Sequence, residues 1–162
     1  MIHLVRHARA GSRTDWLGPD HERPLSGRGQ LQATRLADRL ADAGATLVYS
    51  SPYARCIQTV APLASLLGVD IEVSSELAEG AGAEGAARLI GSAPGGAVLC
   101  SHGDVLLDVI GHLAAHGAPL VMGMPFEKGA ILTLRRDGGR IVHASYDPPD
   151  RWPMTRHGSP GE

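Results

Sequence analysis

The sequence predicts an α/β fold: a three-layer α/β/α sandwich with a mainly parallel central sheet and an antiparallel C-terminal hairpin at one edge. Two observations predict it. Short apolar runs, typical of buried strands, alternate with longer segments whose apolar residues recur at helical spacing. Near the C-terminus, two segments with alternating residues, 130–134 and 140–144, flank Asp137-Gly138-Gly139, a pattern typical of a β-hairpin.

Length and composition indicate an ordinary globular protein. A chain of 162 residues suits a single domain, expected over residues 1–147, followed by a flexible tail over 148–162 that is rich in Pro, Gly and charge. The formal net charge of −2 argues against a nucleic-acid or acidic-membrane binder, so an anion site must be a local cluster of arginines.

Cys56 and Cys100 lack metal-site spacing, and a reduced cytoplasmic setting is expected. No apolar run approaches the ~18 residues of a membrane span.

The N-terminal segment predicts a strand, a loop and a helix. Ile2, Leu4 and Val5 form a short buried strand, and residues 8–24 lack periodicity but carry many charges, as in a loop that shapes a site. Ser26 is a typical N-cap residue, and the apolar residues after it recur at helical spacing up to Gly44. An amphipathic helix therefore follows the loop.

The middle of the chain repeats this order. Residues 47–49 predict a second strand, and Pro52 opens a helix that stops at Gly68. Pro62 lies inside this pattern, so a kink or a restart of the helix is expected there. Residues 69–73 predict a third, short strand.

The remaining segments complete the alternation. A Gly- and Ala-rich passage over 80–87 overlaps a weak helix at about 84–92. Residues 97–100 form a continuous apolar run, typical of a fully buried parallel strand, and helical spacing follows up to Gly117. Residues 118–129 form a Pro/Gly/Met loop before the hairpin.

Polar side chains follow four of the predicted strands: Arg6, His7, Arg55, Glu79 and His102. The carboxyl ends of parallel strands meet at one edge, where open α/β sheets bind ligands. Two arginines can fork onto the oxygens of a phosphoryl group, with the histidines completing the cage. Repulsion by the arginines should lower the pKa of His7 and keep the imidazole neutral and nucleophilic near pH 7. The sequence therefore predicts a phosphate pocket that needs neither a metal nor a cofactor.

Ordered motifs carry a resemblance to a known family. In chain order they are LVRH at 4–7, PLS at 24–26 with Gly29 and Gln32-Ala33, SSPYARCIQT at 50–59, LAE at 77–79 and SHG at 101–103. These motifs, spread over about residues 2–146, resemble the histidine phosphatase superfamily, which has the phosphoglycerate-mutase-like fold. The resemblance implies that His7 is the phosphorylated nucleophile, that Arg6, Arg55 and His102 bind the phosphate, and that Glu79 donates a proton to the leaving group.

The length and one further motif are most similar to the short phosphohistidine-phosphatase branch and to the similar domain fused to some Nudix hydrolases. The motif is Phe126-Glu127-Lys128-Gly129, before the hairpin. By this resemblance Lys128 approaches the site. Arg13, in the charged loop, is the other candidate for substrate binding.

Two departures from the family pattern bear on chemistry. The family usually has Gly after the nucleophilic histidine, whereas this chain has Ala8, which requires an ordinary backbone angle there. The passage over 80–87 is short where larger mutases carry an insertion that covers the substrate. An open site favours hydrolysis by water over transfer between two positions of a trapped substrate.

Several alternatives remain at this stage. Glu76, three residues before Glu79, is the other candidate proton donor if the segment is helical. The substrate is a phosphomonoester, a nucleotide or a protein phosphohistidine, so the expected partner is a phosphorylated small molecule or a phosphohistidine protein. A mutase-type phosphotransferase and a non-catalytic phosphate-binding regulatory domain are the competing functions.

Overall fold

The computed structural model describes residues 1–120, 123 and 125–149. Their strands are β1 (Ile2–Arg6), β2 (Leu47–Ser50), β3 (Ile71–Val73), β4 (Ala97–Ser101), β5 (Ile131–Asp137) and β6 (Arg140–Asp147). Their α-helices are α1 (Gly27–Asp42), α2 (Ala54–Leu67), α3 (Glu84–Ser92) and α4 (Gly103–Ala115), with short 3-10 helices at Asp20–Glu22 and Ser75–Leu77. Residues 150–162, most of the predicted C-terminal tail, lie outside the described residues.

All these strands belong to one sheet, in the order β3-β2-β4-β1-β5-β6. The first four strands of the chain pair in parallel, while β5 lies antiparallel to β1, and β6 antiparallel to β5 at the sheet edge. The predicted mainly parallel sheet with an antiparallel edge hairpin is confirmed. The hairpin strands extend further than predicted because the chain turns tightly at Gly138 and Gly139, whose positive φ angles of 53° and 80° glycine tolerates.

Helices cover both faces of the sheet, as the three-layer prediction requires. Leu4 and Leu99 point to one face and pack with residues of α3 and α4. Val5 and Val98 point to the opposite face and pack with residues of α1 and α2. Because successive side chains of a strand alternate between faces, β1 and β4 each contribute to both cores.

The start of α1 follows from its sequence. Ser26 has an extended backbone, and its side-chain oxygen accepts a hydrogen bond from the Gly29 amide at 3.2 Å, which confirms the predicted cap. The Ser26 amide donates to the Arg9 carbonyl at 2.9 Å. This bond ties the charged N-terminal loop to the helix.

Of the kink or restart predicted at Pro62, the restart is wrong, since α2 is one helix from Ala54 to Leu67. A proline inside a helix removes one backbone hydrogen bond and costs about 3 kcal/mol. Val60 and Leu63, on either side, are almost completely buried. Burying each such side chain contributes roughly 1.5–3 kcal/mol, which offsets the lost hydrogen bond and holds the segment helical.

Within the described part of the chain, no helix has both the length and the apolar character needed to cross a membrane.

Gly29 should be required by packing rather than by helix propensity. A Cβ at this position would lie 1.9 Å from the Arg9 carbonyl oxygen, whereas a Cβ at Gly27, in the same helix, would meet nothing within 4 Å. We expect Gly29→Ala to lower the free energy of unfolding by about 1–3 kcal/mol through overpacking. The matched control, Gly27→Ala, should leave it unchanged or raise it, since alanine favours helix. Urea unfolding of both variants measures this, and equal stabilities would contradict the packing account.

Candidate active site

The two histidines of the site are brought together by the pairing of neighbouring parallel strands. Arg6, the last residue of β1, is in register with Ser101, the last residue of β4. The His7 amide continues this pairing by donating to the Ser101 carbonyl at 3.0 Å. The rings of His7 and His102, which follow directly, have centroids 5.4 Å apart.

A cavity of about 520 Å³ opens at this edge of the sheet. Its charged and imidazole-bearing lining residues are Arg6, His7, Arg13, Arg23, Glu79, His102, Asp104 and Lys128. Arg55 is only 1% exposed and lies behind this lining, where it contacts Glu79 and His102. The structure therefore gathers all the side chains predicted for the site, and adds Arg23 and Asp104.

His7 is held in one tautomer by its own backbone. Its side chain is buried, and Nδ1 lies 2.8 Å from the Ala8 carbonyl oxygen. A carbonyl oxygen only accepts hydrogen bonds, so Nδ1 carries the proton and Nε2 keeps its lone pair. The ring is thereby oriented as a nucleophile.

Burial lowers the pKa of His7 to about 3. The hydrogen bond to Ala8 opposes this effect, and the charges of His102, Arg55 and Arg6 add to the lowering. The predicted direction is confirmed, but its main cause is loss of hydration rather than repulsion by the arginines. The imidazole is neutral at pH 7.

Ala8 fits where the family pattern has glycine. Its backbone φ is not positive, as is true of every described residue other than glycine, so the expected ordinary backbone is confirmed. The Ala8 amide donates to Thr59 Oγ1 at 2.9 Å, and Thr59 donates in turn to the Arg55 carbonyl. The turn after His7 is thus fixed to α2.

His102 is oriented by residues of the Ser50–Thr59 motif. Its Nε2 lies 2.8 Å from Ser51 Oγ and 3.5 Å from Cys56 Sγ. With Nε2 engaged by Ser51, the other ring nitrogen, Nδ1, faces Arg55 Nη2 at 3.4 Å. Sequence reasoning missed Ser51, although it lies inside the motif that indicated Arg55.

Arg6 is held in place by contacts with the backbone rather than by an ion pair with a described carboxylate. Its Nη1 donates to the Phe126 carbonyl, and a Cβ at Gly103 would lie 2.8 Å from its guanidinium carbon, so only glycine allows this approach. Its Nε is buried and has no hydrogen-bond partner among the described residues. Among the described residues no carboxylate lies within ion-pair distance of Arg6, and Asp104, which also lines the cavity, acts on its charge at longer range.

Arg55 is buried with its charge compensated. Nη1 donates to the Asp20 carbonyl at 2.9 Å, and Nη2 lies 3.0 Å from Glu79 Oε2 and 3.2 Å from Asp20 Oδ2. The guanidinium also stacks over the Tyr53 ring, 4.8 Å from its centroid. Pairing offsets the cost of burying the charge.

Asp20 organises the charged loop and was not predicted as a site residue. Its carboxylate contacts Arg23 at 2.9 Å, Arg55 at 3.2 Å and Arg13 at 3.4 Å. Burial acts to raise the pKa of Asp20, but the hydrogen bond from Arg23 and the charges of these arginines together lower it. The loop has no periodicity, so the sequence gives no signal for this convergence.

The two candidate carboxylates lie in different places. Glu79 lines the cavity and is held between Arg55, at 3.0 Å, and Arg13, at 3.2 Å. Glu76 pairs instead with Arg88 of α3 at 2.8 Å. Of the two, the structure places Glu79 at the site.

Arg13 and Lys128, the candidates for substrate binding, both line the cavity. Arg13 is largely exposed, and its hydrogen bond to Glu79 raises its pKa. The backbone beside Lys128 is anchored to the site, since the Gly129 amide lies 3.1 Å from the Arg6 carbonyl and 3.2 Å from the His7 carbonyl.

The sequence of this chain is similar to those of known proteins. The family model described as the histidine phosphatase superfamily (branch 1) matches residues 2–88. An 8-oxo-(d)GTP phosphatase of Mycolicibacterium smegmatis is 36% identical over 154 residues, covering 91% of this chain and 48% of that protein. The chain therefore spans about half the length of this curated relative.

Solved structures match the fold. The protein histidine phosphatase SixA, complexed with tungstate, has a TM-score of 0.73 at 22% identity, with 92% of this chain and 97% of that chain covered. A phosphoserine phosphatase mutant from Entamoeba histolytica, in complex with phosphoserine, has a TM-score of 0.67 at 16% identity, with 91% and 96% covered.

The neutral state of His7 can be tested by a pH titration. A folded pKa of about 3 means that the ring stays uncharged while pH falls from 7 to 4. We expect ¹⁵N spectra to show the Nδ1-protonated tautomer throughout this range, whereas the same ring in urea should titrate near 6.5. Because the pKa of His7 is lower in the folded than in the unfolded protein, its contribution to the free energy of unfolding is fully present above pH 6.5. This contribution is lost as the pH falls from 6.5 to about 3. A cationic His7 ring in the folded protein at pH 5 would contradict the account.

Proposed function

This chain belongs to the histidine phosphatase superfamily, and we propose that it is a metal-independent phosphatase that works through a phosphohistidine intermediate on His7, within a single domain over residues 1–147. The observation that carries the proposal is the state of His7. It is a buried, neutral imidazole whose Nε2 lone pair is free beside a cavity rich in arginine. A domain that only binds phosphate needs the positive charge but not the nucleophile.

In the first step His7 Nε2 attacks phosphorus. The nitrogen–phosphorus bond forms while the bond from phosphorus to the leaving oxygen breaks, and its electron pair passes to that oxygen. Arg6, Arg55 and His102 stabilise the charge on the remaining phosphoryl oxygens. Glu79 protonates the leaving oxygen.

In the second step water replaces His7 on phosphorus. Glu79, now ionised, takes the proton of the attacking water, the nitrogen–phosphorus bond breaks, and phosphate leaves. The neutral ring of His7 is restored. The segment before α3 is short and contains no insertion over the described cavity, which favours water as the acceptor over a trapped second substrate.

Glu79 must change partners during this cycle. In the free protein its side chain is held by Arg13 and Arg55. A phosphoryl group that engages Arg55 competes with Glu79 for that guanidinium. Substrate binding thereby releases one restraint on the group that serves as the acid.

The substrate class is a phosphomonoester or a protein phosphohistidine. The open cavity admits either a small molecule or a phosphorylated side chain on a protein. A second candidate is a nucleotide, favoured by the relative named as an 8-oxo-(d)GTP phosphatase. These candidates differ in the atom that leaves phosphorus, and so in their need for Glu79.

Loss of the nucleophile should abolish activity. We expect phosphate release in EDTA from at least one of an aryl phosphate, a phosphohistidine peptide and a nucleoside phosphate. His7→Ala should lower the rate by several orders of magnitude, because removing even one transition-state donor costs about 3 kcal/mol. His143→Ala, at an exposed histidine of β6, is the matched control and should keep full activity. Activity that persists in His7→Ala, or absence of release from all three substrates, would refute the proposal.

Dependence on Glu79 should separate the substrate classes. In single-turnover measurements, we expect Glu79→Gln to slow phosphoryl transfer from an alkyl phosphate by about 10²–10⁴-fold, since general acid catalysis is lost. Transfer from a phosphohistidine peptide should change little, because its leaving nitrogen needs less acid help. Glu76→Gln, three residues away and paired with Arg88, is the control and should behave as wild type. Equal loss in both glutamine variants would exclude Glu79 as the acid.

A further inference from the structure

Lys128 is the only lysine in the sequence, whose other basic Lys or Arg residues are all arginine. This single amine lines the cavity together with Arg6 and His7. The mechanism proposed above uses Arg6, Arg55 and the histidines for the transferred phosphoryl group. It leaves Lys128 without a role.

The charges around the cavity are unevenly compensated. Arg13 and Arg55 both pair with Asp20 and Glu79, and Arg23 pairs with Asp20. No carboxylate among the described residues lies within ion-pair distance of either Arg6 or Lys128. The described lining thus contains two cations without an ion-pair partner, and Asp104 acts on Arg6 only at longer range.

The backbone segments that carry Arg6 and Lys128 are hydrogen-bonded to each other. The Gly129 amide donates to the carbonyls of Arg6 and His7, and the Phe126 carbonyl accepts from the Arg6 guanidinium. On the other side, Gln32 Nε2 donates to the Lys128 carbonyl at 3.3 Å. The segment that carries Lys128 is therefore anchored to the residue that binds the transferred phosphoryl group.

The position of Lys128 is electrostatically unfavourable in the free protein. Burial, followed by repulsion from Arg6, Arg23 and Arg9, lowers the pKa of Lys128. A bound anion beside the amine would relieve this repulsion and raise the pKa again.

We propose that Lys128 binds a second anionic group, on the leaving side of the transferred phosphoryl group, and that the substrate is a terminal phosphoanhydride such as a nucleoside diphosphate or triphosphate. The inference rests on the proposed function and names its substrate class. In a phosphoanhydride the second phosphate is joined to the first by one oxygen, which suits two cations anchored side by side.

The chemistry of the leaving group agrees with the contacts of Glu79. When the bond between the terminal phosphorus and the bridging oxygen breaks, its electron pair stays on the leaving phosphate, where Lys128 stabilises the charge. Such a leaving group needs little protonation. A carboxylate held between two arginines, as Glu79 is, therefore does not limit the reaction.

The single lysine allows a direct binding test on the full chain. Reductive methylation with ¹³C-formaldehyde keeps the charge and gives one dimethyl-lysine signal besides that of the amino terminus. We expect methylenediphosphonate, which cannot be cleaved at its bridge, to shift this signal and raise the pKa of Lys128 more than orthophosphate does. Equal effects of the two anions, or no effect of either, would overturn the proposal.

Kinetics of two variants provide an independent test. For Lys128→Gln, we expect the ratio of kcat/KM for a nucleoside diphosphate to that for an aryl phosphate to fall at least tenfold, and Lys128→Arg to restore most of it. An unchanged ratio overturns the proposal. A greater loss of kcat/KM with phosphoserine than with the nucleoside diphosphate also overturns it, because the second anion would then be a carboxylate. Wild-type hydrolysis of the aryl phosphate would still support the proposed function. If wild type hydrolyses no substrate, that function fails, and the methylenediphosphonate titration still decides whether Lys128 binds a second anion.

Discussion

The parallel pairing of β1 with β4 is the constraint on which the site depends. It places Arg6 beside Ser101, and so brings His7 and His102, each the next residue along, to the same edge of the sheet. Both strands are buried on two faces by helices, so a shift of one residue would turn Leu4 and Leu99 away from their core. The hydrophobic cores that stabilise the fold thereby also fix the spacing of the two histidines of the candidate site.

The electrostatics of the site follow from burial at this edge. Loss of hydration makes a neutral His7 favourable, and the Ala8 carbonyl selects the tautomer with a free Nε2. The buried guanidinium of Arg55 is compensated by carboxylates, whereas no carboxylate of the described residues lies within ion-pair distance of Arg6 or Lys128. A site with a neutral imidazole beside these cations is suited to an anionic electrophile such as a phosphoryl group.

Much of this arrangement could be predicted from the sequence because it depends on local patterns. Apolar runs located the strands, Ser26 located the start of α1, and strand ends located Arg6, His7 and His102. What could not be predicted depends on contacts distant in sequence. Asp20 meets Arg55 across the fold, and α2 continues through Pro62 because its flanking residues are buried. Glu79 differs from Glu76 in lining the cavity and in its arginine partners.

The central claim is that the phosphoryl group is first transferred to His7 and then to water. The most direct measurement is mass spectrometry of enzyme quenched in base during turnover, with peptides mapped for an acid-labile phosphoryl group. The account predicts one phosphoryl group on the peptide that contains His7, formed and lost at rates consistent with kcat, and none on the peptide with His102. Phosphate found on His102, or turnover with no phosphorylated histidine at any time, would contradict it.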